Sequence, residues 1–446
     1  MIWKGAPLGL ENGKPLAYDG NAPLLIFGPP GSYKTVGFIC NQLLDDDGSR
    51  PRSYIVIDPK GEICAITSRY RRRVSDVKII NPYGVLVERR PDMASDGWNP
   101  LGDLDPADTS GLGDHCQAKG DALIKSTGHE MQPHFTDGAR SACTGTIKFE
   151  VMDAARNRQP PSLANVRRIL TQDPKALAGF VKIMMAVGDF DITTRIDKFK
   201  SPNTETANIQ STIEVQTSWM SKPLRDDMAT AGGVDFVDCT RRSTTVYVIV
   251  PTTELISKGV YLRLILSTAL RALYRDGGMP TTLLVEEAFV LGHHAEIEQA
   301  AAILRGYGSR FTIVFQSLSQ AMRHYPDTWG LFTAGAVLGF RPADLPTAEW
   351  MTKKAGRIAV PVVAASDPRP GEMRPSINWQ QRDRDRIPLG KMFGMPPGWA
   401  LVWLPNEEVP RKVRVLGYFD IPELNARASP NPYYAAPADD TRRRRR

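Results

Sequence analysis

The chain has 446 residues, 42% of them hydrophobic and 24% charged, so it is long enough for two or three domains and has the make-up of an ordinary globular protein. Its formal charge is +7, but Arg442 to Arg446 supply five of those charges; the remainder sums to +2 and gives no general case for a nucleic-acid-binding body. No apolar run approaches the ~18–20 residues that cross a bilayer, the N-terminus is not a signal peptide, and five scattered cysteines without CxxC spacing argue for a reducing compartment and against a zinc site.

The first 23 residues read as a short polar lead-in with a turn at Tyr18-Asp19-Gly20. Residues 24–27 (LLIF) then form a buried strand, followed by a loop (Gly28, Pro29, Pro30, Gly31, Ser32, Tyr33, Lys34, Thr35). A helix carrying Val36, Ile39, Leu43 and Leu44 follows. Strand, Gly-rich loop, Lys-Thr and helix is the setting of a phosphate-binding P-loop. There, backbone N–H groups and the helix N-terminus face an anion, the lysine reaches the outer phosphates, and the hydroxyl takes Mg²⁺. One residue departs from the GxxxxGK[ST] pattern: Tyr33 stands where glycine is expected, and a side chain in the left-handed conformation of that position costs about 1–3 kcal/mol.

Residues 53–57 (SYIVI) and 77–80 give two more strands with a helix between them, the βαβ rhythm of a parallel sheet. Asp58-Pro59-Lys60-Gly61-Glu62 closes the first of these, and Lys60 with Glu62 either borders the site or, the preferred reading, makes an ion-paired helix start. The rhythm then stops. Residues 103–238 read as helices, one capped by Ser162 and one opened by Asp173-Pro174. Strands resume at 244–250, 281–287, 311–315 and 335–340, with a helix at 345–355 and further strands near 399–404 and 412–416. From about residue 427 the Pro, Ala and Arg content reads as a disordered tail. The expected domains are therefore 1–102, an inserted all-α domain at 103–238, 239–426, and a basic tail at 427–446.

A P-loop enzyme also needs acid. Glu286 and Glu287 end the strand TTLLV, where ligands of parallel sheets bind, so Glu286 is expected in the Mg²⁺ shell and Glu287 beside the attacking water. Gln316 ends the next strand, placed to sense a γ-phosphate. Arg305 lies in a Gly-rich turn between those strands, suited to act as an arginine finger across a subunit boundary. His115, His129, His134 and the His293-His294 pair have no metal-type spacing and receive no role.

Together these motifs resemble the type IV coupling proteins, the TraG-like ATPases of conjugative DNA transfer, over residues 18–419. The resemblance rests on GPPGSYKTVG, VIDPKGE with ITSRYRRR, INPYG, FTDGAR, RRSTTVYVIVP, LLVEEAFVLG, LRGYGSRFTIVFQSLSQ and TAEWMTKKAG. It implies a RecA-like P-loop NTPase with a mostly parallel central sheet, ATP and Mg²⁺ as cofactors, and an all-α domain that selects substrate. The implied partners are DNA without sequence preference, single- or double-stranded, a relaxase or effector protein, and type IV secretion channel components at the inner membrane. A homo-hexamer in the bacterial cytoplasm, docked at the cytoplasmic face of that membrane, is implied as well. Glu286 replaces the more usual Asp, and the family's N-terminal membrane span is missing, so the chain is expected to lack an anchor of its own. Two other readings stay open: a non-hydrolysing nucleotide-gated adaptor, which Tyr33 motivates, and a segregation-type DNA translocase.

Overall fold

The computed structural model describes residues 2–125, 133–230, 232–255, 257–274, 278–366 and 376–433. Its strands are β1 (Ala6–Glu11), β2 (Lys14–Tyr18), β3 (Leu24–Phe27), β4 (Ser53–Ile57), β5 (Asp76–Ile80), β6 (Thr244–Val248), β7 (Thr281–Val285), β8 (Arg310–Phe315), β9 (Ala336–Phe340), β10 (Arg357–Ser366), β11 (Ser376–Asp385), β12 (Trp399–Trp403) and β13 (Arg411–Arg414). The chain packs as two units. One holds Met1–Asp45 and Thr312–Arg427, the other Asp46–Phe311 and Ala428–Arg446.

In the first unit β3 is the central strand. It runs parallel to β8 on one side, with Phe27 opposite Phe315, and to β9 on the other, with Phe27 opposite Gly339. All four β3 residues are fully buried, as a strand covered on both faces requires. Antiparallel β12, β13, β1 and β2 extend this sheet beyond β9. Trp350, from the helix Leu345–Ala355, packs edge-on against Phe27 and is tilted against Trp403, anchoring that helix to the core.

The lead-in expected at residues 1–23 is in fact a β-hairpin. Asn12 (φ 49°) and Gly13 (φ 78°) turn it, and Glu11 faces Lys14. Asn-Gly between strands supplies the two left-handed residues of a type I′ turn, so the signal was present in the sequence. The β10–β11 hairpin was likewise not anticipated.

The second unit carries four parallel strands in the order β7-β4-β6-β5. Between β5 and β6 the described residues hold only helices, the longest being Pro133–Arg156. Two expected caps are in place: the Ser162 side chain accepts from Asn165 N, and that of Asp173 from Lys175 N and Ala176 N. Trp98 packs edge-on against Phe236 and Tyr261 with 2% of its surface exposed. Lys119, also buried, is neutralised by Asp103 at 2.7 Å and donates to Thr268. Among the described residues no helix is long and apolar enough to cross a membrane.

The tail expected from residue 427 lies mostly outside the described residues. Its first part does not hang free: Ser429 N donates to Ile66 O, Asn431 Nδ2 to Glu62 Oε1 at 2.6 Å, and Tyr433 Oη to Lys60 O at 2.6 Å.

Candidate functional site

The loop after β3 turns in a confined space. Gly28 N donates to Phe315 O, and a β-carbon on Gly28 would fall 2.6 Å from Phe340 Cβ and 2.7 Å from Ser32 Oγ. Only glycine fits there. Gly31 takes φ 75° and Tyr33 φ 71°, ψ 11°, so the tyrosine adopts the left-handed conformation that the missing glycine would have taken. Its ring lies 6.2 Å from that of Phe419.

The next turn, Lys34–Ile39, is wound as a π-helix, with Cys40 N donating to Thr35 O five residues back, and it passes into the α-helix Cys40–Asp45. Such widened turns are frequent at functional sites. A β-carbon on Gly37 would meet Val415 at 2.6 Å. Lys34 Nζ folds over the loop, 2.5 Å from Gly28 O and 2.8 Å from Pro29 O. The ammonium is thus held at the mouth of a helix N-terminus, where an oxyanion replaces carbonyl partners readily. Phe315 pairs with Phe27, so Gln316 emerges at the same strand edge as the loop; its N–H donates to Gln320 Oε1. The donor set suits a nucleotide polyphosphate with its Mg²⁺: backbone N–H groups, one ammonium and the Thr35 hydroxyl.

The second unit places its carboxylates at the C-terminal ends of adjacent strands. Asp58 ends β4 and Glu286 ends β7; Glu286 N donates to Ile57 O and Asp58 N to Val248 O. Asp58 is fully buried and Glu286 is 5% exposed. Burial pushes the Asp58 carboxyl up to about 7, against the opposing pull of its hydrogen bond from Cys64 N. Glu287 caps the helical turn Ala288–Leu291 in the left-handed region, at φ 53°. A residue without glycine's freedom held there is strained, and such strain clusters at functional sites. Lys60 Nζ lies 3.2 Å from Glu287 Oε1. Partial burial pulls the Lys60 ammonium pKa down, but the Glu287 charge and hydrogen bond outweigh it and leave the pKa raised.

Lys60 was read from the sequence as half of an ion-paired helix start with Glu62. The structure instead pairs it with Glu287, while Glu62 accepts from Asn431. A partner 227 residues away leaves no spacing signal. Asp58 was also passed over, although a carboxylate directly after an apolar strand is the same signal that singled out Glu286. Arg305 sits exposed in the turn Leu304–Tyr307. That turn leads to Ser309, whose hydroxyl accepts from Thr281 N at the start of β7. Arg305 therefore lies at the opposite strand ends from Glu286 and Glu287. Of the histidines, His294 is buried, its pKa pushed down to about 3 by burial and by Arg263; His129 falls outside the described residues. Among the described residues no group of three or more His, Cys, Asp or Glu side chains is arranged to hold a metal ion.

A glycine-bounded loop leading from a buried parallel strand into a helix headed by Lys-Thr defines a P-loop nucleoside triphosphatase fold of the RecA-like α/β class. The chain belongs to the family described as Type IV secretory system Conjugative DNA transfer, which matches residues 2–435. It is 22% identical to the conjugal transfer protein TraG of Agrobacterium fabrum over 396 residues, covering 84% of this chain and 57% of that protein. It is 21% identical to the type IV secretion system-coupling protein VirD4 of Bartonella quintana over 378 residues, covering 81% of this chain and 58% of VirD4. The chain thus spans 57–58% of the length of these curated relatives. Among solved structures, the bacterial conjugative coupling protein TrwBdeltaN70 in its unbound form superposes with a TM-score of 0.67 at 15% identity, covering 93% of this chain and 90% of that one. The plasmid coupling protein TrwB in complex with ADP and Mg²⁺ gives a TM-score of 0.66 at 16% identity, over 93% and 90% of the two chains.

Proposed function

We propose that this chain is a nucleotide-driven coupling ATPase, which brings DNA and its bound protein to a type IV secretion channel. The observation that carries the reading is the loop Gly28–Thr35. Its two left-handed residues set Lys34 and Thr35 at the head of a helix, the arrangement that cradles phosphates. The names of TraG and VirD4 support the pathway, and the TrwB complex with ADP and Mg²⁺ supports the ligand.

On this reading Lys34 binds the outer phosphates, the Thr35 hydroxyl and the Glu286 carboxylate are the groups that would hold Mg²⁺, and Gln316 senses the γ-phosphate. Bound Mg²⁺ supplies charge neutralisation on the phosphate oxygens. Glu287 orients a water and takes its proton as the oxygen attacks the γ-phosphorus and the bond to the departing diphosphate breaks. Arg305, on the other edge of its own unit, acts on the site of a neighbouring subunit, which makes the working form an oligomer, a hexameric ring. Substrate is chosen by the helices of residues 103–238, and DNA is held through its phosphates, with strong salt dependence.

The test is ATP hydrolysis titrated with single- and double-stranded DNA. Stimulation by DNA is expected. Lys34→Ala and Glu287→Gln should each lower turnover by at least about 100-fold, the contribution of a phosphate clamp or general base. Purified full-length chain without turnover, with or without DNA, would overturn the motor reading. It would leave the nucleotide-gated adaptor, the alternative that the strained Tyr33 favours.

A further inference from the structure

We infer that Lys60 is a positioning residue that restrains Glu287, and that the segment 429–433 fixes the loop from which Lys60 acts. This inference rests on the reading of Glu287 as the group that activates water. The Lys60 ammonium occupies Glu287 Oε1 at 3.2 Å. The ammonium engages the Oε1 side of the carboxylate and holds Glu287 in one direction, so turning its lone pairs toward an attacking water requires the pair to open.

The pair is built to open. Lys60 is 47% exposed and Glu287 18% exposed on their side chains, and ion pairs this accessible to solvent are weak and exchange readily. Glu287 reaches its position only through a left-handed backbone, so its placement is imposed by the surroundings rather than by local preference. What imposes it on the Lys60 side is visible. The loop Asp58-Pro59-Lys60-Gly61 is tied down at Asp58, whose carboxylate accepts from Cys64 N, and turned at Gly61 with φ 67°.

The end of the chain then runs back along the helix Glu62–Arg71. Ser429 N bonds Ile66 O, Asn431 bonds Glu62, and the Tyr433 hydroxyl bonds Lys60 O at 2.6 Å. Three contacts at alternate positions make a strap whose last member touches the residue that holds the acid. Pro59, Lys60, Glu62, Pro251, Thr252 and Tyr433 line one cavity there, so a displaced Lys60 side chain has room to move. The strap leads directly into residues 434–446, which end in five arginines.

The experiment is steady-state ATP hydrolysis by the full chain, without and with DNA. Lys60→Met should raise the DNA-free kcat by about two- to fivefold, the size of an exposed ion pair. KM for ATP should stay unchanged, and the ratio by which DNA stimulates turnover should shrink. Lys60→Arg should restore the wild-type ratio. Tyr433→Phe, which removes only the hydroxyl bond to Lys60 O, should change kcat in the same direction and by less. An unchanged or lowered kcat in Lys60→Met overturns the restraint, and an unaltered Tyr433→Phe overturns the role of the strap. If Glu287→Gln retains turnover, the underlying assignment of the acid fails instead; a dead Glu287→Gln with an indifferent Lys60→Met sinks this inference alone.

Discussion

Tyr33→Gly returns the loop to the standard glycine, and the structure sets its outcome. Tyr33 already holds φ 71°, ψ 11°, so glycine inherits the backbone without a shift. Three stability terms change. Relief of left-handed strain favours the variant by about 1–2 kcal/mol. The greater freedom of glycine in the unfolded chain opposes it by about 0.5–1 kcal/mol. Loss of the ring contact with Phe419, 6.2 Å between centroids, opposes it by a further ~0.5–1.5 kcal/mol. The sum is close to zero, within about 1 kcal/mol, so the melting temperature should move by no more than about 2–4 °C. Any change in kcat then reports the phosphate cradle rather than the fold. Because Gly31, Tyr33 and the π-turn that follows already form the cradle, kcat and KM for ATP should change by less than about threefold. Tyr33→Ala separates the terms: it keeps the strain and loses the ring, and should be the less stable variant by about 1 kcal/mol. A tenfold gain in turnover on Tyr33→Gly would refute the reasoning and mark the natural loop as impaired.

Two further outcomes follow from the second unit. The Asp58 carboxyl is raised from 3.8 to about 7 by burial. Its contribution to stability is therefore complete below about pH 4 and is lost as pH rises through 7, since the folded state must then bury the charge. Asp58→Asn keeps an oxygen to accept from Cys64 N; urea denaturation should show the variant gaining on wild type by about 2–3 kcal/mol between pH 5 and pH 8, and a difference that stays constant across that range would count against it. Trp98→Ala opens a hole between Phe236 and Tyr261, whose rings lie 6.2 and 5.6 Å away. Denaturant titration should register a loss of about 3–5 kcal/mol; a loss below about 1 kcal/mol would mean that the neighbours close over the gap.

What the sequence made legible was short in range. The P-loop lies within twelve residues of one strand–loop–helix pattern, and its glycines and Lys-Thr are set by local backbone and charge requirements. The central strands β3, β4, β7 and β8 were readable because strands buried on both faces are uninterrupted apolar runs. The N-terminal hairpin hid for the opposite reason. Its strands alternate short apolar and polar residues around Pro and Gly, and only Asn12-Gly13 announced it. Helix starts at Ser162 and Asp173 were legible because a cap is a contact over three residues. The Lys60–Glu287 pair was not, because it depends on β4 and β7 becoming neighbours, which no local pattern encodes.

That strand neighbourhood also sets how Asp58 and Glu287, two carboxylates of the second unit, are balanced. Asp58 and Glu286 end adjacent strands, and Glu287 follows directly. Asp58 is neutralised by holding its proton to about pH 7, while accepting a helix-capping bond. A group in that state is committed to the fold. Glu287 is neutralised by a partly exposed lysine, an arrangement that solvent, nucleotide or a movement of the loop can reverse. Of the two, only the second balance can be reversed without opening the fold. The two carboxylates thus differ in how each is balanced: a buried proton builds the strand end at Asp58, and a partly exposed ammonium leaves the Glu287 contact exchangeable.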